Sequence, residues 1–160
     1  MENILSKESV KRAEQALKNF DHTMEVIVLQ TSAKTAQDAA KSLNCEVGAI
    51  VKSLLFRTNQ FYVLCLVSGD KKCSLNKLKK ITSKKDVCMA SPDEVKSQTG
   101  YTIGGVSPVG HINMIKIYID ISLKRFDKIY AAAGHPNCVF EINFDNLIKI
   151  TNGKVIEVTE

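Results

Sequence analysis

Apolar residues recur along the chain with two periods, one helical and one strand-like. Over residues 7–20, Val10, Ala13, Leu17 and Phe20 share one face at helical spacing while Lys7, Lys11, Arg12 and Lys18 lie elsewhere, which predicts an amphipathic helix. Residues 24–30 form a short β-branched and aliphatic run, read as a strand. Thr35 precedes an alanine-rich segment with Asp38 three residues on, a hydroxyl cap that starts a helix over about 35–44. Two strongly apolar runs, 49–56 and 61–67, are joined by Arg57-Thr58-Asn59-Gln60 and predict a hairpin whose strands are covered on both faces.

The remainder alternates in the same manner. Leu75, Leu78 and Ile81 space a short helix, 86–90 a strand, and Ser91-Pro92-Asp93-Glu94 opens a helix that ends near Thr99-Gly100. Strands are predicted at 116–120, 129–133, 138–142 and 155–159, with Gly134-His135-Pro136-Asn137 as the loop between the middle two and a helix over 143–150. No repeat, linker or break in composition interrupts this order, so residues 1–160 are read as one mixed α/β domain whose strands do not alternate regularly with helices.

Composition narrows the class. A chain of 160 residues, 44% hydrophobic and 24% charged, is long enough for one core and too apolar to be disordered. Its formal charge of +5 leans toward polyanionic partners such as RNA without identifying one. The five cysteines (Cys45, Cys65, Cys73, Cys88, Cys138) form no CxxC pair, and Cys65 and Cys138 lie in apolar runs. Reduced thiols in a cytoplasmic protein are the expectation. The start of the chain has no apolar leader and no run is long enough for a membrane span, so neither secretion nor a membrane is expected.

Two features stand out as candidate chemistry. Lys52 interrupts an aliphatic run, sharing a strand face with Ile50 and Leu54. An unpaired buried charge costs several kcal/mol, roughly, so this ammonium either snorkels to solvent, meets an anion or loses its proton. The second is Gly104-Gly105-Val106-Ser107-Pro108-Val109-Gly110, in which backbone shape dominates. It reads either as a tight structural turn or as a set of backbone N–H groups aimed at an anion or oxyanion. It is neither a dinucleotide-binding glycine loop nor a Walker loop. His135 follows the small-residue strand Ala131-Ala132-Ala133 and is either an exposed loop residue or a hydrogen-bonding group. Lys77, Lys79, Lys80, Lys84 and Lys85 form the densest basic cluster, read as a solvated face or an RNA contact. The scattered histidines suggest no metal site, no cofactor motif is present, and no Ser/His/Asp order appears.

In order along the chain, Thr35-Ala36-Gln37-Asp38-Ala39-Ala40, the strand from Ile50 to Phe56, Leu66-Val67-Ser68-Gly69-Asp70, Thr99-Gly100-Tyr101, the 104–110 loop, Ile119-Asp120 and Ala131-Ala132-Ala133-Gly134-His135 resemble the YbaK-type aminoacyl-tRNA deacylases. That family is similar to the editing domain of bacterial prolyl-tRNA synthetases. The resemblance covers residues from about 30 to the C-terminus. It implies a curved, largely antiparallel, barrel-like mixed sheet surrounded by helices, and a pocket for the 3′-terminal adenosine of a mischarged tRNA, tRNA(Pro) above all, with its aminoacyl ester. By the same resemblance Lys52 matches the family's functional lysine, with Ser53 beside it. Gly104, Gly105, Val106, Ser107 and Pro108 match the Gly-x-x-x-Pro loop, and Gly134 and His135 a Gly-His pair found in many members. The implied partners are mischarged aminoacyl-tRNA and an aminoacyl-tRNA synthetase in trans. The rival expectation is a non-catalytic tRNA- or nucleotide-binding module of the same fold.

Overall fold

A computed structural model of the chain describes residues 3–160; Met1 and Glu2, at the start of the segment read as leaderless, lie outside it. Helix α1 (Glu8–Phe20) buries Val10, Ala13 and Leu17, the stripe its spacing defined, and leaves Phe20 partly exposed at its end. Strand β1 is only Ile27–Val28, shorter than the predicted 24–30, because it pairs with a neighbour at just two positions and exposes both side chains. Helix α2 (Ala36–Leu43) starts at the predicted cap, where Thr35 Oγ1 accepts from the Asp38 N–H at 3.1 Å.

The hairpin is present as β2 (Val51–Arg57) and β3 (Tyr62–Ser68), in antiparallel register from Val51 opposite Ser68 to Arg57 opposite Tyr62. Its first strand begins later than the apolar run does. Val47–Ala49 instead turn as a 3-10 helix, and Gly48 lies so close under Phe126 that a Cβ there would fall 2.6 Å from the ring. Thr58 closes the connecting turn, its hydroxyl accepting from the N–H groups of Gln60 and Phe61 at 3.1 and 3.0 Å.

Helix α3 (Leu75–Thr82) is capped by Ser74, and α4 (Pro92–Thr99) opens on a capping box between Ser91 and Glu94. Between them lies the short β4 (Cys88–Met89). Strands β5 (Lys116–Asp120), β6 (Ile129–His135) and β7 (Cys138–Ile142), helix α5 (Phe144–Thr151) and strand β8 (Lys154–Ile156) complete the chain. Strand β6 continues through Gly134 and His135, which the turn-forming residues had marked as loop. A register shift between Ala132 and His135 and a φ of +90° at Gly134 absorb the bend.

The strands form two sheets, β4-β2-β3-β5-β8 and β1-β7-β6. Every pairing is antiparallel except β3 with β5 and β5 with β8, so the class is mixed α/β with mainly antiparallel sheets. A parallel bridge from Ile50 to Tyr130 joins them. One core fills the space between the sheets, with Leu64, Leu66, Ile117 and Ile119 facing Phe140 and Ile142. A second lies on the opposite face of the larger sheet, where Phe56, Val63, Cys65, Val67 and Tyr118 meet Leu78 of α3, and a small third joins Ala39 and Ala40 of α2 to Ile50. Strand β3 is therefore covered on both faces, as its uninterrupted apolar sequence required.

Candidate functional site

Strand β2 has one incomplete edge. Along β3 it is paired throughout, but on the other side β4 reaches only Phe56 and Arg57, the Ala90 N–H donates to the Leu55 carbonyl at 3.0 Å, and Ile50 meets Tyr130. A cavity of about 430 Å³ opens along the stretch left between these contacts. Its walls include Lys52 and Ser53 of β2, Gly104 and Val106 of the glycine loop, the first turn of α2 and Ala131 of β6. The two stretches singled out from sequence thus share one cavity.

Backbone alternation determines what the edge presents. In an antiparallel strand the N–H and C=O of one residue point the same way and those of the next point opposite. The Leu55 carbonyl faces β4, so the peptide groups of Ser53 face that same open side. The Ser53 side chain adds to this: its Oγ is buried and has no hydrogen-bond partner among the described residues. A buried hydroxyl left unmade costs roughly 1–3 kcal/mol, which makes it a natural ligand contact.

Lys52 leaves the strand on the other face, with Val67 opposite it in register. Its Nζ donates to the Lys71 carbonyl in the loop that follows β3. Burial is the main influence on its pKa and lowers it from the usual 10.5, while Cys73 and Asp70 pull it back up and Lys72 lowers it further. One donor is engaged at Lys71, and an ammonium has three.

The glycine loop is built for close packing as well as for access. A Cβ on Gly105 would lie 2.9 Å from the His135 nitrogen and 3.0 Å from its Cα, so this residue lets the loop rest on the backbone of β6. The Gly105 N–H is spent on the Thr102 carbonyl at 2.9 Å, and the Val109 N–H on Ser107 Oγ at 3.3 Å. Ser107 and Pro108 are buried behind the cavity wall. Gly134 and His135 are not among the cavity's walls: Gly134 accepts from Ser9 Oγ at 2.8 Å, and His135 Nδ1 accepts from the Asn137 N–H at 3.0 Å. Burial, then nearby Lys7, lowers the His135 pKa.

A model of the aminoacyl-tRNA editing domain family matches residues 30–150, a span that contains β2, the glycine loop and β6. The chain belongs to that family. Among members and relatives it is 34% identical over 148 residues to YwhH of Bacillus subtilis, an uncharacterized protein, covering 92% of this chain and 94% of that one. It is 29% identical to EbsC of Enterococcus faecalis, named as a proposed Cys-tRNA(Pro)/Cys-tRNA(Cys) deacylase, over 78% of this chain and 77% of that one. A proline–tRNA ligase from Fervidobacterium nodosum shares 35% identity over 77% of this chain but only 21% of its own length. A solved structure described as a proposed trans-editing enzyme for prolyl-tRNA synthetase superposes with a TM-score of 0.91 at 34% identity, covering 96% of this chain and 98% of that one. The YbaK-type resemblance and its editing-domain fold are therefore established.

The basic cluster of this family member lies elsewhere. Lys77, Lys79 and Lys80 sit on α3, and Lys84 and Lys85 follow it; none lines the cavity. Lys77 is occupied by Glu157 at 2.8 Å and the Thr159 carbonyl at 2.6 Å, and Lys84 by Gln60. Sequence reading passed over Lys34, which lines the cavity, and Lys71 and Lys72, which flank the Lys52 contact. Only their proximity in the fold marks them. Ser68-Gly69-Asp70 resolves into structural parts: a Cβ on Gly69 would fall 2.3 Å from the Val47 carbonyl oxygen, and Asp70 is gripped by Arg125 at 2.7 Å. Among the described residues no three His, Cys, Asp or Glu side chains gather as a metal cluster, and no helix is long and apolar enough to cross a membrane.

Proposed function

We propose that the chain is a trans-editing hydrolase that removes the amino acid from mischarged aminoacyl-tRNA. The observation that carries this is that Lys52, Ser53 with its unpartnered hydroxyl, and Gly104 and Val106 of the glycine loop line one cavity. Water adds to the ester carbonyl carbon, a tetrahedral oxyanion forms, and the bond to the terminal ribose oxygen breaks as that oxygen takes a proton. Such an ester is already activated, so positioning water and stabilising the oxyanion supply most of the acceleration.

In this reading Lys52 keeps one N–H on the Lys71 carbonyl and turns its remaining donors to the ester carbonyl or the terminal phosphate. Ser53 Oγ, with the Ser53 peptide groups beside it, orients the water. Of the loop residues, Gly104 and Val106 face the aminoacyl end. Ser107, Pro108, Gly134 and His135 hold the loop in place, with Gly105 as the point of contact. Residues 1–160 act as one domain in the cytoplasm, where charged tRNA is found.

The choice of tRNA(Pro) is supported by two likenesses, to a stretch of a proline–tRNA ligase and to the solved structure described as a proposed trans-editing enzyme for prolyl-tRNA synthetase. The cavity's short side chains, Ala36, Ala131 and Ala132 among them, suit a small aminoacyl group. An apolar wall separates neighbours by only about 10- to 200-fold per methylene, so a preference rather than absolute selection is expected. The test is a panel of mischarged tRNAs, Cys-tRNA(Pro) included, assayed for release of the amino acid. Lys52→Ala should lower the rate by about 100-fold or more, as loss of an oxyanion donor does. Tight binding without turnover of any panel member would instead identify a non-catalytic tRNA-binding module.

A further inference from the structure

We propose that Arg125 is a positioning residue for Lys52, acting through the turn that runs from Ser68 to Lys71. The inference rests on the reading of Lys52 as the cation that meets the substrate, and it adds a side chain far away in sequence and outside the cavity's walls.

The chain of contacts is continuous. Arg125 ends the 3-10 helix Ile121–Arg125, where its Nε donates to the Ser122 carbonyl at 2.7 Å. Its fork grips Asp70 twice, Nη1 to Oδ2 at 3.0 Å and Nη2 to Oδ1 at 2.7 Å, and Nη2 also donates to Ser68 Oγ at 2.9 Å. Ser68 Oγ in turn donates a hydrogen bond to the Gly48 carbonyl. The Ser68 carbonyl accepts from the Lys71 N–H at 3.0 Å, closing the turn, and the Lys71 carbonyl then receives Lys52 Nζ. A single planar guanidinium therefore fixes two side chains of the turn that presents the lysine's acceptor. A lysine could not reproduce this fork.

The same grip has an electrostatic consequence. The groups acting on Lys52 are Asp70, Lys72 and Cys73 from the loop after β3, and Lys34 lines the same cavity; Glu46 and Asp120 act on Arg125 itself. Asp70 is the carboxylate among the groups acting on Lys52. Held bidentate, it is neutralised and turned to Arg125. Released, it becomes a stronger acceptor than the Lys71 carbonyl and draws the ammonium out of its place beside the cavity. Arg125 thus both builds the lysine's seat and removes the competitor for it.

The test uses the full chain with its lysines isotope-labelled at Cε, so that Lys52 is titrated directly by NMR, with Lys52→Met providing the assignment. In Arg125→Ala the Lys52 midpoint should rise, because a positive charge is removed and Asp70 is unshielded. In the double variant Arg125→Ala/Asp70→Asn it should return toward the parent value. Deacylation should follow, with kcat down about tenfold or more in the single variant, KM for tRNA nearly unchanged, and partial recovery in the double variant. A merely structural arginine would give no recovery on removing Asp70. An unmoved Lys52 midpoint in a folded single variant, or a double variant no better than the single, would overturn the proposal. If Arg125→Ala fails to fold, Arg125→Lys and Arg125→Gln undergo the same titration. Because the titration needs no turnover, a parent protein inactive on every tRNA would refute the hydrolase reading while leaving this result readable.

Discussion

Lys52 carries a cost as well as a role. Burial disfavours its charged form, so its pKa in the fold lies below the 10.5 of the unfolded chain. A group shifted in that direction penalises the fold at pH below its folded pKa, and the penalty is relieved as pH rises through that value toward 10.5. Under the proposed mechanism, in which the ammonium polarises the carbonyl, activity should run the other way: deacylation should fall on the alkaline side, at a pH below the ordinary lysine range. Lys52→Met separates the two effects. It should abolish turnover, leave the thermal midpoint at neutral pH equal or higher, and flatten the alkaline gain in stability, all measurable by unfolding curves across pH. A lower midpoint would mean that the Lys71 contact stabilises the fold more than burial of the charge costs.

At the scale of elements, function depends on how segments are seated against each other. Gly105→Ala places a methyl 2.9 Å from backbone of β6, which has no freedom to move aside. The loop should lift, costing about 1–3 kcal/mol by urea unfolding, with a larger loss in kcat/KM than this stability change explains. Asp120 seats the C-terminal segment in a comparable way: its buried carboxylate accepts from the N–H groups of Ser122 at 3.1 Å and Val158 at 2.7 Å, and from the Thr159 hydroxyl at 3.2 Å. Asp120→Ala orphans these donors and should destabilise by about 2–4 kcal/mol by urea unfolding, while activity in the fraction that folds is preserved. Helices and the hairpin were legible from sequence because caps, spacing and apolar runs are local: the Thr35 cap, the Leu75-Leu78-Ile81 spacing, the Ser91 start and the polar connection Arg57-Thr58-Asn59-Gln60 each settle their own element. What was not legible is non-local. The parallel pairings of β3, β5 and β8, the extension of β6 through Gly134, and the open edge of β2 depend on partners distant in the chain. Lys52 was visible because an ammonium breaks an aliphatic run. Arg125 was not, since an arginine after a strand looks like any surface charge until Asp70 is brought to it.

Across the whole molecule, two basic surfaces are candidates to meet the tRNA of the proposed function. The α3 lysines cover the face of the larger sheet whose core includes Leu78, away from the cavity walls, and Lys77 and Lys84 already have protein partners. Lys34 instead forms part of the cavity wall, Lys71 offers its carbonyl to Lys52, and Lys72 is exposed beside Lys71 in the chain. Asp70, the nearest acid in that loop, is neutralised by Arg125. Under the proposed function, these three lysines are the candidates for contact with a single-stranded acceptor end reaching the cavity. Replacing Lys34, Lys71 and Lys72 together by Gln should raise KM for tRNA several-fold, leave kcat close to the parent value, and reduce the slope of log affinity against log salt by about 0.7 for each single-strand phosphate no longer neutralised. The same replacement at Lys79, Lys80 and Lys85 should change the slope less. Equal effects from the two sets would show that the acceptor stem also drapes over α3, and a larger effect from the α3 set would place the main RNA contact there, with the cavity mouth serving only the terminal nucleotide.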